Sequence, residues 1–153
     1  MKRVLLYVLI LIAVLLIPVE RTDVGKLQPI QTIAISREGD SYIICTDTGD
    51  IGRGVFLEDA FRNLKETTPA VVYLDTADFL LLSDMSGLQI DLLKEILKGN
   101  ISLYQFTGDP DLQEVSKFLT IHGNGPTLKS WEKGVVLPVL VVKNNRMILS
   151  EKT

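Results

Sequence analysis

The sequence runs to 153 residues, 46% hydrophobic and 23% charged, with a formal net charge of −3. That length holds one core rather than two full-sized domains, and the acidic balance lacks the basic footprint of a nucleic-acid binder. One histidine and one cysteine exclude most zinc sites built by a single chain, and Cys45 has no partner for an intrachain disulfide.

Met1-Lys2-Arg3 precedes an uncharged run from Val4 to Val19, closed by Glu20, Arg21 and Asp23. A basic start followed by an apolar stretch is an export signal. As a helix the run spans about 24 Å, a little short of the roughly 30 Å hydrocarbon core. Its end reads Leu15-Leu16-Ile17-Pro18-Val19-Glu20, with no small-residue cleavage site and no lipobox cysteine. These features predict an uncleaved signal anchor through residues 4–19, with the N-terminus in the cytoplasm and the rest outside; a cleaved signal and secretion form the alternative. Residues 20–30 read as a linker around Gly25 and Pro29, so the division is 1–27 for anchor and linker and 28–153 for one extracytoplasmic domain. With the four basic and two acidic residues before Gln28 set aside, that domain holds twelve basic and seventeen acidic residues, a net of −5. Such a domain is not drawn to an anionic membrane surface by charge.

Gln31 to Arg37 and Ser41 to Asp47 alternate or run apolar around Glu38-Gly39-Asp40, a hairpin pattern that makes Cys45 a strand residue and an inert thiol. Thr46 to Gly54, with three glycines, reads as a turn. Phe56, Leu57, Ala60, Phe61 and Leu64 recur at helical spacing, and Pro69 stops that helix. Ala70 to Leu74 and Phe79 to Leu82 read as strands. Leu88, Leu92, Leu93, Ile96 and Leu97 form a second helical face, closed by Gly99, and Ile101 to Phe106 another strand. Asp109-Pro110 reads as N-cap and first residue of a third helix with Leu112, Val115, Phe118 and Leu119 on its core face. A loop from His122 to Pro126 leads to a last hairpin, Val135 to Val142 and Met147 to Leu149, around Asn144-Asn145. The expected fold is α/β (α+β mixed sheet), with about six strands and three helices after the N-terminal apolar helix.

The sharpest catalytic echo is Asp47-Thr48-Gly49 after Ile43-Ile44, which resembles the active-site turn of aspartic peptidases. That chemistry needs two carboxylates sharing one proton, so a short chain would supply one from each subunit of a dimer. Leu74-Asp75-Thr76-Ala77-Asp78 repeats the pattern without its glycine. Asp and Gly in a turn after a strand also need no catalytic reason. Gly49, Gly52 and Gly54 ahead of a helix have neither the spacing nor the lysine of a phosphate loop, with Arg53 the one cation beside them. His122, beside Gly123-Asn124-Gly125, reads as a solvated loop histidine. Asp109, Asp111 and Glu114 suit the positive end of a helix without a metal. Trp131, next to Glu132 and Lys133, reads as a lid on the core or an exposed partner contact. No catalytic, cofactor-binding or metal-ligating residue is assigned, and no cofactor is expected.

Ile33-Ala34-Ile35-Ser36 with the Gly39 to Thr46 hairpin begins a longer pattern. It continues with the Gly52-x-Gly54 turn into Leu57-Glu58-Asp59-Ala60-Phe61-Arg62-Asn63-Leu64, with Pro69 to Leu74, and with Phe79-Leu80-Leu81-Leu82 ending in Ser83-Asp84. Gly87-Leu88 then opens a helix through Ile96, and a strand near Leu103 follows. This order resembles the N-terminal domain of the spore-germination receptor C-subunit family, the Ger(x)C proteins, over about residues 30 to 120. The family's members are lipoproteins with a large second domain, and the pattern stands here without either. The resemblance implies the fold and no catalytic residue. The expected function is a membrane-anchored, non-enzymatic interaction or accessory domain of a bacterium, linked to sporulation or germination. Its expected partners are the lipid bilayer and a membrane protein. The alternatives are a dimeric aspartic peptidase using Asp47 and an extracytoplasmic small-ligand binder.

Overall fold

A computed structural model describes residues 27–83, 90–97, 100–132, 135–143 and 146–150. The expected anchor at residues 4–19 and the predicted Gly99 and Asn144-Asn145 turns lie outside them, as do residues 84–89 before the second helix.

The strands are β1 (Leu27–Pro29), β2 (Thr32–Glu38), β3 (Ser41–Thr46), β4 (Ile51–Gly54), β5 (Val71–Tyr73), β6 (Phe79–Leu82), β7 (Ser102–Thr107), β8 (Val139–Lys143) and β9 (Arg146–Ser150). The helices are α1 (Leu57–Thr67), α2 (Ile90–Ile96) and α3 (Leu112–His122), with a single 3₁₀ turn at Leu74–Thr76. Seven strands form one sheet in the order β4-β3-β2-β6-β7-β8-β9. Its centre, β2, β6, β7 and β8, is parallel. Antiparallel hairpins flank the centre, β3 and β4 on one side and β9 on the other. The mixed α/β class expected from the alternating helical and strand patterns is therefore the class observed.

Central parallel strands are covered on both faces and so read as unbroken apolar runs. Phe79-Leu80-Leu81-Leu82 obeys this: Leu80 and Leu82 enter one core layer and Leu81 the other, all three fully buried. The first layer holds Ile33, Ile35, Ile44, Leu80, Leu82 and Leu103 under α1 and α2. The second holds Ala34, Leu81, Tyr104, Phe106 and Leu140 under α3.

Helix α1 buries Leu57, Ala60, Phe61 and Leu64, one stripe at i, i+3, i+4 and i+7. Each of the larger side chains contributes about 1.5–3 kcal/mol by leaving water. The helix stops at buried Thr68, whose N–H and hydroxyl both donate to the Leu64 carbonyl, at 3.2 and 2.7 Å, ahead of Pro69. Helix α3 places Val115 and Leu119 in the second layer. It starts two residues later than Asp109-Pro110 predicts. Asp111 is the N-cap, its carboxylate accepting the N–H groups of Gln113 (2.9 Å) and Glu114 (3.4 Å), which satisfies two otherwise unpaired donors.

The described residues form nine strands rather than the about six expected. Residues 27–29, read as linker, are β1 and pair in parallel with β5 in a small separate sheet. Residues 51–54, read as part of a turn, are β4, paired with β3. Gly52 and Gly54 are there because α1 presses on that strand. A Cβ on Gly52 would lie 2.3 Å from the Ala60 carbonyl oxygen and 2.6 Å from Leu64 Cβ.

After α3 the chain changes faces beside β7. Gly125 N–H donates to Tyr104 Oη (2.8 Å), in the second layer. The Leu103 N–H then donates to the Pro126 carbonyl and the Leu128 N–H to the Ile101 carbonyl, each 2.8 Å, around an antiparallel bridge from Ser102 to Thr127. Leu128 and Leu137 lie buried in the first layer. This strap occupies the flank of β7 that β8 leaves unpaired, since β8 matches only Gln105 to Thr107.

Candidate functional site

Asp47 follows β3 in a turn dense with hydrogen bonds. Its carboxylate accepts the Gln31 N–H at 3.2 and 3.3 Å, and its own N–H donates to the Thr32 carbonyl at 3.1 Å. The Thr46 and Thr48 hydroxyls meet at 2.7 Å, Thr48 donates to the Asp50 carboxylate at 2.7 Å, and the Asp50 N–H donates to Thr46 Oγ1 at 3.1 Å. Gly49 closes the turn at φ 87°, a backbone state that suits glycine. Partial burial pushes the Asp47 carboxyl up, while hydrogen bonds from backbone amides pull it down. The arrangement ties β2 to β3, and the Asp47 carboxylate is engaged by a backbone amide rather than by a second carboxylate. Asp75, from the second echo, is exposed on the 3₁₀ turn.

The other singled-out residues are dispersed over the fold. Cys45 is half-buried on β3, where burial foremost and then the Asp109 carboxylate raise its thiol, against a lowering by Arg53. A raised thiol holds little thiolate at neutral pH, the opposite of what a nucleophile needs. Gly52 and Gly54 belong to a strand packed on α1, and the first turn of that helix carries Glu58 and Asp59, which repel an anion. Asp111 caps α3 and Glu114 pairs with Lys117 at 3.5 Å. Among the described residues no three His, Cys, Asp or Glu side chains gather as metal ligands would. His122 is exposed in the last turn of α3 rather than in the loop, its ring 4.9 Å from that of Phe118. Trp131 packs on the first core layer and donates its indole N–H to the Val135 carbonyl at 3.3 Å, which makes it the lid.

Two polar features escaped the sequence reading because they depend on tertiary contact. Ser116, on the buried face of α3, donates to Gln31 Oε1 at 2.9 Å and so docks the helix on the start of β2. Thr32 is fully buried, and its hydroxyl has no partner among the described residues.

The two edges of the sheet differ. The outer side of β4 is sealed by α1: the Arg53 N–H donates to Asn63 Oδ1 at 3.0 Å, and the Thr67 hydroxyl donates to the Ile51 carbonyl at 3.5 Å. At the other end β9 pairs only with β8 among the described residues. Exposed apolar side chains flank this end on both faces, Val142 (46% exposed) on the α3 face and Ile148 (48%) on the opposite one. The sequence signalled the hairpin but not the openness, because openness depends on where the helices stop covering the sheet. The arrangement can pair a further strand, and among the described residues Asp47, Asp111 and Glu114 are held in a turn, a cap and an ion pair.

Among the described residues no helix is long and apolar enough to cross a membrane. No protein-family profile matches the chain, and no curated protein or solved structure matches it.

Proposed function

We propose that the chain is a membrane-anchored, extracytoplasmic interaction domain without a catalytic role, serving as an accessory part of a membrane assembly. The observation that carries this reading is the uncharged run from Val4 to Val19 behind Lys2-Arg3. Two structural facts support it. Asp47, Asp111 and Glu114 are engaged in a turn, a cap and an ion pair, and among the described residues one edge of the seven-stranded sheet is open beside exposed apolar side chains. The resemblance of residues 30 to 120 to germination-receptor C-subunits makes sporulation or germination the process to examine first.

The test is fractionation of cells expressing the full chain with a C-terminal tag. The protein is expected in the membrane pellet after alkaline carbonate washing, with its tag digested by protease added from outside. A tag protected inside the cell, or a chain released by carbonate, overturns the reading. Affinity purification from detergent-solubilised membranes of growing and sporulating cells then identifies the assembly.

A further inference from the structure

We infer that β9 pairs with β9 of a second copy of this chain, antiparallel about a two-fold axis at Ile148, joining two sheets into one. The inference deepens the proposed interaction role and rests on it.

The backbone directions follow from the ladder. The Gln105 N–H donates to the Pro138 carbonyl at 2.9 Å, with Gln105 in register with Val139. Residues 138, 140 and 142 therefore turn their backbone groups to β7, and Val139, Val141 and Lys143 turn theirs to β9. Their partners there are Ser150, Ile148 and Arg146. Met147 and Leu149 are left with N–H and C=O groups directed away from the sheet. No hydrogen bond among the described residues satisfies them.

A second β9 running antiparallel fits those groups. With Ile148 opposite Ile148 of the copy, Met147 of each chain faces Leu149 of the other. These are the positions whose backbone groups point outward, so both pairs close hydrogen bonds in both directions. On the α3 face Met147 and Leu149, already packed on the second core layer, extend that layer across the axis. On the opposite face Ile148, 48% exposed, meets its copy.

Charge selects the orientation. Arg146 is the single charged residue from 146 to 150. The two-fold arrangement sets it across from Ser150, whereas a parallel pairing stacks it on its copy, and like charges directly opposite oppose pairing. The closure is finite as well: with β4 covered by Asn63 and Thr67, the seven-stranded sheet offers one open edge among the described residues, and two-fold pairing through it gives a closed dimer rather than a fibre. One strand pairing is smaller than the about 800 Å² per partner of a typical stable interface. A shared membrane supplies the remainder by raising the effective concentration of tethered copies.

The experiment introduces Ile148→Cys and, separately, Met147→Cys into the full chain carrying Cys45→Ala, and oxidises membranes from expressing cells. Directly opposite residues of a non-hydrogen-bonded pair stand about 4.5 Å apart at Cα, within disulfide reach. Two Met147 residues, offset along the strands, stand about 8 Å apart, beyond it. Ile148→Cys is expected to give at least about fivefold more cross-linked dimer than Met147→Cys. Equal yields, or background for both, overturn the inference. Independently, energy transfer between copies labelled as donor and acceptor at a C-terminal tag is expected in intact membranes for the wild type and is expected to fall to background for Ile148→Lys, with its melting temperature unchanged. A wild type without energy transfer in the membrane overturns it too. Fractionation reads the anchor, and the cross-linking contrast reads β9 in whichever fraction holds the protein, so the two readings fail separately.

Discussion

Replacing Gly52 by alanine is expected to damage this fold more than its single added methyl suggests. The new Cβ would stand 2.3 Å from the Ala60 carbonyl oxygen, 2.6 Å from Leu64 Cβ and 2.8 Å from Leu64 N. Two of those three atoms are α1 backbone, so no rotamer change relieves the contact, and strand and helix must separate by about 1 Å to restore van der Waals distance. Separation lifts Ala60 and Leu64, both fully buried, off the first core layer. Overpacking of this kind costs about 1–3 kcal/mol, and the backbone contact places this site at about 3. For a chain of this size that is a fall of roughly 6–12 °C in melting temperature. Gly49 is the control. Its φ of 87° disfavours alanine, but nothing lies within 4 Å of the added Cβ, so Gly49→Ala is expected to lose only about 1 kcal/mol. Urea titration followed by Trp131 fluorescence measures both, since Trp131 packs on the affected layer. A Gly52→Ala midpoint equal to that of Gly49→Ala, or above it, refutes the packing argument.

Three further outcomes are expected. Asp111→Ala removes the acceptor for two N–H groups at the start of α3 and should lower stability by about 1 kcal/mol in the same titration. Thr32→Val removes a fully buried hydroxyl without a partner among the described residues and should leave stability unchanged or raise it by about 1 kcal/mol; a loss above that would show that the hydroxyl is engaged. Asp47 titrates with a raised carboxyl in the fold, so the folded state binds its proton more tightly than the unfolded chain. Its contribution is full below the unfolded value near pH 4 and declines as pH rises through the folded value. The stability of wild type relative to Asp47→Asn should therefore fall from pH 3.5 to pH 6.5. A rise would mean that the Gln31 amide, not desolvation, governs the group.

Much of the layer structure was legible in the chain. Phe79 to Leu82 announces a strand buried on both faces, and Leu57, Ala60, Phe61 and Leu64 announce the α1 stripe, because burial imprints itself directly on residue type and spacing. β4 was not legible. Ile51-Gly52-Arg53-Gly54 has the composition of a turn, and its glycines serve a helix that only the tertiary fold brings against it. β1 is three residues long and lacks a strand-like run. Asp109-Pro110 misdirected the start of α3 because it has the form of a cap, while Asp111 has the reach. At the candidate sites the motifs were visible but their occupation was not: only the folded chain shows that Gln31 claims the Asp47 carboxylate and that Asn63 and Thr67 cover one sheet edge while β9 pairs only with β8 among the described residues.

The strap from Gly125 to Leu128 has a consequence for how the domain opens. It is fixed to Tyr104 on one face and delivers Leu128 to the other. A strap tied to both layers couples the release of one to the release of the other. Opening is therefore expected to be cooperative, with slow amide exchange extending through β6, β7 and α3 at nearly one free energy rather than grading from one face to the other. A domain that opens all at once exposes its apolar strands rarely, which limits the chance for those strands to pair with another chain.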